Sequence, residues 1–407
     1  MAKDDIAMAF IGAIVPDAPV FHGPAFNRAG QMFQQELVLA MARAGLRPTA
    51  IFSVEPVPAF PRSRRLLGQS GRIALPNGLV VQFLPFVNIH VLKPLTAGLS
   101  TLAALLSWGW RHRGRPRLVH CINLTMPPGL FILVAARLIR AKATVSLMDV
   151  NQPGVLVPDV PARRLDFWLH RRLIPRFDGH MVASQAIAED FAPGRRVCRI
   201  EGGVRAEDFR DTTGEGPISD RPKKFTAVLA GSLETYNGVE LALEAFERLP
   251  LEGFELVVAG AGSLAEAVSA RARRDGRVRY AGFLEFDEVL SLYRTADVLL
   301  NTRLTKALST RHFFPSKLME FMASGTPVIS TSTGHVEEEF TGLVYLLRDE
   351  TPDALAHLLQ RIAATSIEER HALGRRARAY MLAHKTWERQ GQRLADYLRR
   401  EVFGDAV

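Results

Sequence analysis

The sequence predicts an α/β protein made of two successive doubly wound domains, and three observations carry that prediction. A chain of 407 residues is longer than one ordinary core accommodates. Apolar strand-like runs alternate with helical runs in two separate series, which implies parallel sheets covered on both faces. Between the series lies Asp211 to Lys224, DTTGEGPISDRPKK, a polar stretch without periodicity that reads as a linker. The expected division is 1–210, linker 211–224, 225–385, and a C-terminal helix at 386–407 that packs back on the first domain.

In the first series Ile6–Val15 reads as a buried strand, followed by a Pro/Gly-rich loop to Gly30. Met32–Ala44 is a helix ended by Gly45, and Thr49–Val54 a second strand. Strand Leu118–Asn123, helix Pro128–Ala141 and strand Thr144–Asp149 repeat the pattern, then a strand tip at Val182–Ser184 and a helix from Gln185. The second series runs strand Phe225–Ala230, helix Val239–Arg248, strand Glu255–Gly260, helix Ser263–Arg274 and strand Val278–Ala281. Helix Phe286–Thr295, strand Val298–Asn301, helix 316–324 and strand Val328–Ser330 complete it, and the tail from Ser366 to Phe403 is helical.

Composition narrows the class. A hydrophobic content of 47% with 23% charged residues is that of a globular protein. Cys121 and Cys198 lie too far apart for metal-ligand spacing or a disulfide framework, so a reducing cytoplasm is expected. Met1 to Val15 lacks the basic start and cleavage site of a signal peptide. The longest apolar run, Gly129 to Ala136, is far short of the ~20 residues a spanning helix needs. Charge is uneven: residues 1–210 hold 26 Lys+Arg against 14 Asp+Glu, a balance of +12, and residues 211–407 hold 25 against 28, or −3. An anionic partner for the first half follows.

The segment with most chemical content is FPSKLMEFMASGTPVIS, Phe314 to Ser330. A loop with Pro315 and Ser316 opens a helix carrying Lys317 and Glu320 about one turn apart, and Gly325 ends it. Free N–H groups and partial positive charge at a helix N-terminus suit a phosphate. A carboxylate one turn further in can accept hydrogen bonds from vicinal hydroxyls. An ordinary capped helix would use Ser316 and Gly325 in the same way.

This segment resembles the nucleotide-sugar site of group 1 (family 4) retaining glycosyltransferases. Phe225 to Gly231 with Tyr236 to Phe246, Glu255 to Gly262, Val278 to Phe283 and Leu292 to Leu300 resemble that family's successive elements. In the first half Val182 to Ala188 and Ile200 to Phe209 look like its domain-closing segments. The resemblance implies a GT-B fold, two Rossmann-like domains facing an interdomain cleft. It implies a nucleotide-diphosphate sugar as co-substrate, no cofactor and no metal. Glu320 matches a ribose-hydroxyl ligand. Phe313, Phe314, Pro315 and Ser316 match the loop that offers N–H groups to the diphosphate or the donor sugar. Gly231 and Gly238 match glycines that let the backbone approach the nucleotide, although turn glycines would look the same. Gly30 is matched to the glycine loop that faces the diphosphate across the cleft.

Three positions depart from the family pattern. His312 stands where the first glutamate is expected, and Ser232 and Asn237 stand where an arginine and a lysine stabilise the leaving diphosphate. Lys317, at the first turn of the phosphate-facing helix, is the candidate replacement cation, unless it is merely solvated. Lys317, Asp149 and His312 are therefore the candidate catalytic residues. Asp149 stands in Met148-Asp149 where the family often has His-Asp, and a capping role would explain it equally. No Asp-x-Asp occurs, which argues against metal-assisted neutralisation of a diphosphate.

Ser100 to Arg117, STLAALLSWGWRHRGRPR, sets Leu102, Leu105, Leu106, Trp108 and Trp110 ahead of four arginines. Such chemistry suits an anionic bilayer, and Arg163, Arg164, Phe167, Trp168, Arg171 and Arg172 repeat it. A core helix with a solvated basic end is the alternative. Nucleic acid is not expected, since no recognised binding motif accompanies the charge. The function expected is transfer of a sugar to a glycan or lipid-linked glycan, in surface polysaccharide biosynthesis, in the cytoplasm and peripheral to the inner face of the plasma membrane. A non-catalytic GT-B scaffold and a GT-B sugar-nucleotide epimerase are the rivals.

Overall fold

The computed structural model describes residues 6–21, 27–123, 128–148, 150, 152–154, 159–209, 224–306, 312 and 314–404. The chain divides into two compact units, Met1–Gly202 with Trp387–Val407, and Gly203–Thr386. The first thus closes short of the expected boundary at 210. Most of the expected linker, 211–223, lies outside the described residues.

Among its described residues the first unit holds eight strands: β1 (Ala7–Gly12), β2 (Pro48–Ser53), β3 (Gly71–Ala74), β4 (Val80–Phe83), β5 (Arg117–Ile122), β6 (Lys142–Leu147), β7 (Gly179–Val182) and β8 (Val197–Arg199). Their order in the sheet is β3-β4-β2-β1-β5-β6-β7-β8. All pairs are parallel except the β3–β4 hairpin at one edge. Both faces of β1 are buried, which explains its continuous apolar run. Between the strands, among the described residues, lie the helices α1 (Arg28–Arg43), α2 (Leu92–Arg111), α3 (Pro128–Leu138), α4 (Pro161–Leu173) and α5 (Gln185–Phe191). Sequence periodicity did not reveal the hairpin, because β3 and β4 are four residues each and half exposed.

The second unit holds β9 (Phe225–Ser232), β10 (Phe254–Ala261), β11 (Val278–Gly282), β12 (Val298–Asn301), β13 (Val328–Thr331) and β14 (Tyr345–Leu347). They form one parallel sheet in the order β11-β10-β9-β12-β13-β14. Its helices are α6 (Val239–Arg248), α7 (Ala265–Arg274), α8 (Phe286–Thr295), α9 (Ser316–Ser324), α10 (Val336–Phe340), α11 (Pro352–Ala364) and α12 (Ile367–His384). Separate buried clusters cover the two sheet faces, one centred on Phe246 and Leu256, the other on Tyr293, Phe321 and Phe340.

The helical tail breaks between α12 and α13 (Trp387–Tyr397), where the chain passes from the second unit to the first. α13 docks on α1. Trp387 packs edge-on against Phe33 at 5.3 Å, Arg43 bonds Glu388 at 2.8 Å, and Arg399 reaches the Ala44 carbonyl at 2.9 Å. The Tyr397 hydroxyl accepts from the His180 N–H and donates to the Arg196 carbonyl.

The region expected to meet a membrane is corrected at Trp108. This side chain is 1% exposed, and its indole N–H donates to Thr49 Oγ1 at 2.9 Å. Leu105 is buried, and Leu102 and Leu106 pack on the same core. Residues two apart on a helix point to opposite faces, so Trp110 is 68% exposed while Trp108 is core. No described helix is long and apolar enough to cross a membrane.

Candidate functional site

Strands β9, β10 and β12 of the second unit end at one edge, and α9 begins there. Pro315 precedes Ser316 with an extended backbone (φ −76°, ψ 92°) and no side-chain cap. The Leu318 N–H donates to the Pro315 carbonyl at 2.9 Å. That leaves the N–H groups of Ser316 and Lys317 as first-turn donors without a helical partner. Leu318, Met319, Phe321 and Met322 are buried and anchor the helix, with the Phe321 ring edge-on to Tyr293 at 5.0 Å. Gly325 ends it at φ 82°.

Lys317 lies across the end of β9. Gly231 has φ 146°, and a Cβ built on it would sit 3.2 Å from Lys317 Cδ, so the glycine makes room for the lysine stem. Two cavities meet at Ala230, Gly231, Ser232 and Lys317. One, of about 190 Å³, is lined also by Asn237, Asn301, Thr302, Arg303, Phe314, Pro315 and Ser316. The other, of about 260 Å³, runs past Ala259, Gly260 and Ala261 to Phe283, Leu284 and Val289. Lys317 pairs with no carboxylate among the described residues, and its ammonium is left for whatever enters the trough.

Glu320 stands one turn further along α9 and lines neither cavity. Burial raises its carboxyl above the usual carboxylate range, Asp208 adds to that, and Lys317 and Arg205 oppose it. Arg205 is itself held by Asp208 at 2.9 Å. The Tyr293 hydroxyl is buried without a hydrogen-bond partner among the described residues. Burial, followed by the Glu320 charge, pushes its pKa up.

The trough thus gathers Gly231, Phe314, Pro315, Ser316 and Lys317 from the sequence-predicted set, together with Ser232 and Asn237. Asn237 is used structurally, its Nδ2 donating to the Ser232 carbonyl at 2.7 Å. Gly238 stays outside. Its φ is 72°, and an added Cβ would overlap the Thr302 carbonyl, so a backbone turn accounts for it. His312 is 5% exposed and lines neither cavity. Gly30 sits in the first turn of α1 with its N–H given to Asn27 Oδ1 at 3.1 Å. Asp149 and Phe313 lie outside the described residues.

Sequence reasoning missed Arg303, which lines the smaller cavity and stacks over the Tyr236 ring at 5.4 Å. The available signal was its place just past Asn301, since open α/β sheets bind ligands beyond the carboxyl ends of their strands.

Residues 224–365 match the family model described as Glycosyl transferases group 1, a span that covers most of the second unit. That span of the second unit is similar to a group 1 glycosyltransferase domain. Solved glycosyltransferases extend the likeness to the whole chain. HepE of Anabaena, solved with UDP, aligns over 96% of this chain and 99% of its own, at 15% identity and TM-score 0.65. Sucrose-phosphate synthase of Thermosynechococcus elongatus aligns over 98% and 100%, at 17% identity and TM-score 0.69. The lipopolysaccharide outer core galactosyltransferase WaaB, in its apo form, aligns over 97% and 99%, at 16% identity and TM-score 0.63. At such identities the structural likeness establishes the GT-B fold. No curated protein matches the chain in sequence.

Proposed function

We propose that the protein moves a sugar from a nucleotide-diphosphate donor to a glycan or lipid-linked glycan, with retention, without a metal ion, in surface polysaccharide assembly. It would act in the cytoplasm, peripheral to the membrane. The observation that carries this reading is the Lys317 ammonium, free of described carboxylates, set over Gly231 where the two cavities meet. HepE, solved with UDP and with UDP-glucose, supports a nucleotide-sugar donor. WaaB, a lipopolysaccharide galactosyltransferase, supports a lipid-linked acceptor.

Breaking the bond between the anomeric carbon and the diphosphate oxygen leaves new negative charge on that oxygen. In this reading Lys317, the N–H groups of Ser316 and Lys317, and Arg303 receive it, and preorganised donors of this kind supply much of a barrier reduction. Lys317 and Arg303 then stand in for the cations lacking at Ser232 and Asn237. The larger cavity, with Phe283, Leu284 and Val289 as its apolar wall, takes the base; Glu320, which lines neither cavity, is assigned the ribose hydroxyls on the family resemblance alone.

A thermal-shift panel of nucleoside diphosphates and nucleotide sugars tests this, because a ligand that binds only the native state raises its stability by mass action. Stabilisation by at least one nucleotide sugar, followed by its turnover with an acceptor extract, is the expected result. The absence of charge at Ser232 and Asn237 favours a second reading, a non-catalytic scaffold. Binding without turnover would establish that one, and no binding at all would refute both.

A further inference from the structure

The positive charge of the first half is concentrated in one stretch. Residues 56–148 contain 12 Lys+Arg and no Asp or Glu, so the rest of 1–210, with 14 of each sign, is balanced. The fold places much of this charge beside an apolar face. Helices α2 and α3 pack side by side and parallel, with Gly98 against Phe131 near their starts and Gly109 against Ile139 near their ends. Outward from that seam α2 exposes Leu92, Leu95, Leu99 and Trp110, and α3 exposes Leu130, Val134 and Leu138. Their spacing of three and four residues makes one stripe on each helix, and together they leave an apolar surface exposed.

On the other flank of α3, at its C-terminal end, lies a cavity of about 410 Å³. It opens at the starting ends of β5, β6 and β7, the edge opposite to that where open α/β sheets bind substrates. Five cations line it, Arg117, Arg137, Arg140, Lys142 and Arg176, against the single carboxylate of Asp178. Asp178 is engaged, since it receives the Ala143 N–H at 2.8 Å and pairs with Lys142 at 3.4 Å. Arg137, Arg140 and Arg176 pair with no carboxylate among the described residues. Arg140 takes a left-handed φ of 51°, at the helix-terminating position where glycine is the usual occupant. Arg113 stacks over Trp110 at 5.1 Å and extends the basic rim to the end of α2.

We infer that this face of the first unit docks on a bilayer of anionic phospholipid, with a headgroup phosphate in the Arg117–Arg137–Arg140–Lys142–Arg176 cavity. Leu130, Val134, Leu138 and Trp110 enter the acyl boundary. A protein partner of acidic character would need no apolar stripe, and a neutral apolar partner would need no cation cluster; an anionic bilayer offers both chemistries at once. The surface is thus the exposed side of α2 with α3, and from the Leu102–Arg117 stretch it takes Trp110, Arg113 and Arg117 but not Trp108, which is core. The inference rests on the peripheral membrane location proposed above, not on sugar transfer, and is measured without nucleotide.

The full chain is tested by co-flotation with phosphatidylcholine vesicles, with and without phosphatidylglycerol. Binding is expected only with the anionic lipid, partly resistant to salt. Arg137→Ser/Arg140→Ser/Arg176→Ser should lose on the order of a hundredfold in affinity. Val134→Asn/Leu138→Asn should lose the salt-resistant part. Arg273→Ser/Arg274→Ser/Arg294→Ser, an equal charge change on the second unit, should bind as wild type. Equal binding by the cavity variant, equal binding to both vesicles, or none to either would overturn the inference. So would titration of the cavity by inorganic pyrophosphate in a protein that does not float with lipid, which would assign the site to a free phosphate.

Discussion

Replacing Lys317 with methionine keeps the stem that packs over Gly231 and removes only the charge. Two unit charges about 4 Å apart interact by about 4 kcal/mol at the effective dielectric of a site near a protein surface. Lys317 is partly exposed, so solvent screening lowers that figure, and losing one preorganised donor typically lowers kcat by about 10²–10³. Arg303, lining the same cavity, would retain part of the stabilisation, which places the expected loss near the lower end. Calorimetry separates ground state from transition state. Nucleoside affinity should be unchanged and nucleoside diphosphate affinity should fall about tenfold, while donor turnover falls about a hundredfold because the new charge exists only as the bond breaks. Lys317→Met/Arg303→Met should lose more than either single variant. If Lys317→Met binds the diphosphate and turns over the donor as wild type does, the trough is not the diphosphate site.

Three further outcomes follow from the same structure. Glu320→Gln should weaken nucleotide binding by about 1.5–3 kcal/mol through loss of a charge-assisted hydrogen bond. Burial raises the folded-state pKa of Glu320, so its contribution to stability is present below the unfolded carboxylate pKa and is lost as pH rises through the folded value. The same variant should therefore melt higher than wild type at neutral pH without ligand, and a lower Tm would contradict the placement. Trp108→Ser should cost about 3–5 kcal/mol in urea unfolding, whereas Trp110→Ser should stay within about 0.5 kcal/mol; equal effects would mean the helix faces are misassigned. His120 is 1% exposed, bonded to Thr144 Oγ1 at 2.8 Å and Ser146 Oγ at 2.7 Å, and burial lowers its pKa from 6.5 to about 3. The unfolded chain binds that proton at higher pH, so stability should decline as pH falls below 6.5, by about 1.4 kcal/mol per unit from this residue. A pH-stability slope identical in His120→Gln would remove it as the cause.

The sequence by itself determined the elements whose signals are local. The β9-to-α9 series was legible almost to the residue, with α6, α8 and β12 at the expected bounds. Buried parallel strands there are continuous apolar runs, and glycines end the turns. The same locality made Ser316, Lys317 and Gly325 readable, since a loop, a first turn and a helix stop are written in adjacent residues. What required tertiary structure was every property shared between distant positions. Lys317 and Gly231 meet only because α9 starts where β9 ends, and Arg303 joins them from the end of β12. Trp108 and Trp110 look alike in sequence, yet the helix turns one into the core and the other to solvent. Gly238 is pressed against the Thr302 carbonyl, a neighbour that no local pattern names. The basic cavity draws on the starts of β5 and β6, the end of α3 and the segment after α4. Charge counting along the chain registered that excess, but only parallel packing of α2 and α3 brings it beside an exposed apolar face.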